Sequence, residues 1–104
     1  MAIEFQIPEA DPIEAAVIEW VGSADLYRDG ELVREGVNLL GSNEVAAKVW
    51  ARVLASRLRE PIDRDGLAAF LLTRAAAQHV RAYSSAPIIA EGILVMLKTK
   101  GLLP

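Results

Sequence analysis

Four places along the chain carry residue types that could do chemistry. Asp63-Arg64-Asp65-Gly66 opens like a calcium loop, with two carboxylates at alternate positions and a glycine for the turn. Leu67-Ala68-Ala69-Phe70-Leu71 follows and supplies no carboxylate to close such a loop, so the two acids read as helix caps. His79 is the single histidine. One imidazole does not build a metal site, and no Ser, Cys or second His stands at a useful spacing for nucleophilic catalysis. Glu91 is the one acid in a strongly apolar C-terminal stretch. It reads as the wet edge of a helix; were it buried, an Arg from a preceding helix would have to face it. Finally, Lys48, Arg52, Arg57 and Arg59 form a basic strip, which could contact nucleic acid or receive an acidic segment of protein. A net charge of −3, a pI near 5.1 and the lack of interleaved aromatics favour instead a solvated face, or a docking face for the acidic head of the chain. No catalytic residue, metal site or cofactor is therefore expected, and the chain does not read as an enzyme.

Asp65-Gly66-Leu67 at a helix start also resembles the Asp-Ser-Leu attachment site of acyl carrier proteins, which are small acidic helical bundles. Gly66 stands where the modified Ser would be, and the surroundings are basic, so no carrier function follows. The absence of cysteine excludes disulfides and thiol chemistry. No signal peptide or membrane span is visible, so a cytoplasmic protein is expected. Eight Arg against three Lys, with abundant Ala, suits a GC-rich bacterial genome.

The charge is unevenly placed. Residues 1–40 hold nine acids against two bases, and residues 41–104 hold nine bases against five acids. The first part is thus 7 negative and the second 4 positive. An acidic head and a basic, apolar body attract each other, within one molecule or between neighbours.

The elements that must position these residues follow from periodicity. Ile3-Glu4-Phe5-Gln6-Ile7 alternates strictly and predicts an extended arm over residues 1–10, stopped by Pro8. Asp11-Pro12 starts a helix through Val21, with Ile13, Ala16, Val17 and Trp20 on one face and Gly22 at its end. Residues 23–41 are ambiguous. Asp29-Gly30 is a tight-hairpin signal, whereas Leu26, Val33, Val37 and Leu40 fall on one helical stripe. The stripe favours helix, with a small hairpin near residues 26–33 as the alternative. Ser42 is expected to cap a helix running to about Glu60, before Pro61. Asp63 or Asp65 should cap a long helix through about Tyr83, and Pro87 sits in the first turn of a last helix ending at Lys100-Gly101. Trp20 and Trp50 lie on apolar stripes and read as core anchors.

The expected fold is all-α: one domain of four to five helices, an extended arm at 1–10 and a helical body at 11–104. The last helix is apolar nearly all round, so it lies in the core or under another molecule. Gly92 within it would let a second backbone approach closely. From this follows the functional expectation of a non-enzymatic interaction or assembly module. It would self-associate or dock on a protein through Ile89, Gly92, Ile93 and Met96, with Leu102 and Leu103 in support. A carrier of a small apolar ligand, with a pocket between the last two helices, is the alternative. A nucleic-acid-binding regulator using the basic strip is a weaker one.

Overall fold

The computed structural model describes residues 11–40 and 43–103. The arm expected at 1–10 and the Gly41-Ser42 boundary lie outside the described residues. The elements are α1 (Pro12–Val21), β1 (Ala24–Arg28), β2 (Glu31–Val37), α2 (Glu44–Leu58), α3 (Arg64–Leu71), α4 (Arg74–Ala77), a 3-10 turn at Tyr83–Ser85, and α5 (Ala86–Thr99). The described residues form a single compact globule, 59% helical, with a two-stranded hairpin, and so α+β rather than all-α.

Helix starts follow local chemistry. The Asp11 carboxylate accepts from the Ile13 amide at 2.9 Å, and the Asp63 carboxylate from the Gly66 amide at 2.7 Å. At α2 the cap is Asn43 rather than the expected Ser42, its side chain accepting from the Ala46 amide at 3.0 Å. The end of α5 is closed by Gly101 at φ 69°, and the Leu102 amide returns to the Leu97 carbonyl at 2.9 Å.

Residues 24–37 are a hairpin and not the favoured helix. Asp29 and Gly30 both take positive φ, 51° and 83°, as a tight two-residue turn requires. Ala24 and Leu26 of β1 are buried, whereas β2 is exposed from Glu31 to Gly36. The helical stripe of Leu26, Val33, Val37 and Leu40 is thus divided between two strands and a loop. In a helix, Gly30 and Gly36 would each have cost about 1 kcal/mol. In the hairpin, Gly36 adopts φ 66° at an irregular step in the register, and its amide donates to Asp25 Oδ1 at 3.1 Å.

The expected long helix over residues 63–83 is also broken. The Leu72 amide folds back on Ala69 O, and Thr73 takes extended backbone while its hydroxyl donates to Phe70 O at 2.6 Å. A straight 20-residue helix would be about 30 Å long and would overhang a small body. The break returns Ala76, Val80 and Ala82 to the core, where all three are buried.

The core is built on α5. It packs against α3 and β1, with α1 alongside, and α1 lies on α2. Trp50, Leu54, Leu58, Leu67, Leu71, Ile93 and Leu97 are the largest side chains fully removed from solvent.

Candidate functional site

The densest group of interacting charges joins the hairpin turn to α3 and α5. Positive φ at Asp29 and Gly30 turns both amides outward from the turn, and Glu91 of α5 receives them. Asp29 N–H donates to Glu91 Oε1 at 3.0 Å, and Gly30 N–H to Glu91 Oε2 at 2.9 Å. One carboxylate therefore holds both amides of the turn. Arg64, at the first position of α3, closes the group. Its Nη1 reaches Asp29 Oδ1 at 2.9 Å and Glu91 Oε1 at 3.3 Å, and its Nε reaches Asp65 Oδ1 at 3.3 Å.

The Glu91 side chain is only 13% exposed, so the expected wet edge of α5 is in fact a covered contact. Its partner is an Arg from a preceding helix. The amide of Gly30 holds the carboxyl below its ordinary pKa; burial opposes this, and the Asp29 amide and Arg64 reinforce it. Arg64 is driven to stay protonated by Asp29, Glu91 and Asp65. Glu91 is consequently an acceptor at neutral pH and not a proton donor. Its role is to fasten the hairpin to the helical body.

Glu91→Gln is expected to cost about 1.5–3 kcal/mol, because a neutral amide offers one oxygen and one competing donor to two amide donors. The folded-state pKa is depressed, so the stabilisation is present above the ordinary value of 4.5 and fades as pH falls below it. Urea melts at pH 7 and pH 3 check this: the gap between wild type and variant should narrow at pH 3.

The basic strip meets the acidic head. Arg59 Nε donates to Asp11 Oδ2 at 3.0 Å, and Arg52 Nε to Glu14 Oε1 at 3.4 Å. Arg59 lowers the Asp11 pKa accordingly. Arg57 lies 3.8 Å from Glu60, while Lys48 is exposed beside the α1–α2 groove. Two of the four strip cations thus face Asp11, the cap of α1, and Glu14 in its first turn.

The apolar residues expected to make contacts are placed mostly inside this chain. Ile89, Gly92 and Ile93 are buried, Met96 and Leu102 are half-buried, and Leu103 is 36% exposed. Gly92 does permit a close backbone approach, but the partner is β1 of the same chain, at the Asp25 carbonyl. Sequence reasoning missed the surface that is exposed: Leu32 and Val33 on β2 and Val45 and Val49 on α2. Asp29-Gly30 was the available signal for the first pair. Nothing in the spacing of α2 separates its exposed valine ridge from the adjacent buried one.

Open grooves mark the surface among the described residues. One of about 370 Å³ lies between the end of α1 and the start of α2, lined by Ile18, Val21, Leu40, Ala47 and Lys48. Another of about 300 Å³ runs between β1 and α5, along Trp20, Tyr27 and Met96. A third, about 400 Å³, lies at Leu72, Ala77 and Tyr83. No group of three or more potential metal-ligating side chains occurs among the described residues. His79 is half-buried in the turn after α4 rather than on a helix. No helix among the described residues is long and apolar enough to cross a membrane. Comparison of the chain with known protein families, with curated proteins and with solved structures finds no match in any of the three.

Proposed function

We propose that this protein is a non-enzymatic assembly module, and that it docks by strand addition at β2 rather than through α5. One observation carries the reading. β2 is exposed from Glu31 to Gly36, and its outer edge has no strand beside it among the described residues. Leu32 and Val33, on opposite faces of that strand, are 48% and 42% exposed. An open edge flanked by apolar side chains is a template for another strand, whose backbone supplies the hydrogen bonds while side chains set the partner. The simplest occupant is β2 of a second copy, because antiparallel pairing of identical strands closes a two-fold dimer with no further component.

The apolar-ligand and nucleic-acid readings have less behind them. The grooves described above are open rather than enclosed, and none of them is lined by both the 63–83 segment and α5, the expected last two helices between which the ligand reading puts its pocket. The strip cations Arg52 and Arg59 are engaged by α1.

Light scattering coupled to size exclusion, across a range of concentrations, tests the proposal. Wild type should gain mass with concentration, and Leu32→Lys with Val33→Lys should remain a folded monomer. Because both positions are exposed, the double variant keeps its core. A wild type that stays monomeric throughout, or a variant that associates equally well, counts against docking at β2.

A further inference from the structure

The outer edge of β1 faces α5 across the groove of about 300 Å³. Arg28 and Glu31 flank the two-residue turn as its hydrogen-bonded pair, so Tyr27 and Leu32 form the next, non-hydrogen-bonded pair. The amide and carbonyl of Tyr27 therefore point away from β2, on the side of α5. Asp25, two residues earlier, has the same sense: its carbonyl oxygen is the first atom that a Cβ at position 92 would meet. The groove beside Tyr27 thus offers one backbone donor and one backbone acceptor.

Its walls are otherwise apolar, made by the Trp20 indole with Val95 and Met96. Trp20 is 7% exposed, and its indole N–H is buried with no acceptor among the described residues. Cζ2, on the same edge of the ring as that nitrogen, lies beside Gly92, which also lines the groove.

The groove carries both signs of charge on opposite walls. Asp25 belongs to β1, and Lys100 follows the last turn of α5. Neither joins an ion pair among the described residues. Oδ1 of Asp25 receives the Gly36 amide, which leaves Oδ2 for a ligand.

We infer that this groove binds a free α-amino acid with a large apolar side chain. Its ammonium faces the Asp25 carboxylate and the Tyr27 carbonyl, and its carboxylate faces Lys100 and the Tyr27 amide. Its side chain lies on Trp20, Val95 and Met96. A ligand of one charge leaves Asp25 or Lys100 unanswered, and a wholly apolar one desolvates the Tyr27 peptide groups without pairing them. The site is on the β1 side of the hairpin, so a strand added at β2 does not cover it.

Isothermal titration calorimetry of the full chain with L-phenylalanine tests the inference. Saturable one-to-one binding is expected with a Kd of about 0.1–1 mM, the scale for a ligand of about a dozen non-hydrogen atoms. Phenethylamine lacks the carboxylate and 3-phenylpropionate the ammonium; each should bind about tenfold or more weakly. Lys100 is exposed, so Lys100→Ala keeps the fold, which circular dichroism confirms. That variant should lose about tenfold for L-phenylalanine and leave phenethylamine unchanged. Asp25→Asn, which keeps an oxygen for the Gly36 amide, should weaken the amino acid and spare 3-phenylpropionate. No saturable heat up to about 10 mM would overturn the inference. So would equal binding of all three probes, or a Lys100→Ala variant that binds L-phenylalanine as the wild type does. Light scattering reads strand docking independently of these titrations, so the two ideas fail separately.

Discussion

Ile93→Glu is expected to abolish the cooperative fold rather than release a folded monomer from an assembly. Ile93 is fully buried, on the helix that α3, β1 and α1 pack around. The change removes apolar burial of about 1.5–3 kcal/mol and places a carboxylate in a core that holds no buried charged residue among the described residues. An uncompensated buried charge costs several kcal/mol more. Together these approach the whole stability of a domain this size, about 5–15 kcal/mol. Far-UV circular dichroism with a urea titration reads the outcome. Loss of the cooperative transition is the expected result; a folded variant with the wild-type midpoint would show that Ile93 is at a surface. Ile93→Val, which removes one methyl group, should cost only about 0.5–1.5 kcal/mol and keep the fold.

Gly92→Ala sets two effects against each other, and their sizes decide the sign. Helix propensity favours Ala over Gly by about 1 kcal/mol in a helix interior. A Cβ at position 92, however, would collide with the Asp25 carbonyl oxygen and come within 3.1 Å of Trp20 Cζ2. The first obstacle is backbone and does not rotate away, so β1 or α5 must shift. Overpacking of this kind costs about 1–3 kcal/mol and more when backbone has to move. The expected net loss is about 2 kcal/mol, a fall in Tm of about 8–16 °C for a domain near this length. A thermal melt that rose instead would mean that α5 and β1 do not approach as closely as the structure has them. The same argument says what Gly92 does: it lets the hairpin lie against the central helix, where Glu91 next door can reach the turn amides.

The helix ends and the apolar faces were legible along the chain. Asp11 caps where residue type and the following apolar run predicted, Asp63 is the cap of the two acids expected there, and Gly22 and Gly101 end their helices. Trp20 and Trp50 are in the core. These are short-range matters, decided by hydrogen bonds and torsions within a turn or two of the residue concerned. Residues 23–41 were harder because two local signals disagreed. The hairpin prevailed because Asp29 and Gly30 could take left-handed torsions and because Glu91, about sixty residues away, was placed to receive their amides.

The central inter-element charge group followed the same division. Glu91 needed an arginine if covered, and several arginines were available; only folding selected Arg64. The complementary charges of the two halves predicted an attraction, and Arg59–Asp11 with Arg52–Glu14 is its form within the monomer. By itself, then, the sequence determined the caps of α1 and α3, the two tryptophan anchors of the core and the sign of the attraction between head and body. Tertiary structure alone decided that α5 is wrapped by its own chain, that the helix after Asp63 breaks, and that β2 and one valine ridge of α2 face solvent. The physical reason is that local torsions and caps depend on near neighbours. Which apolar face is covered depends on long-range packing, and neighbouring ridges of one helix look alike until another element lies on one of them.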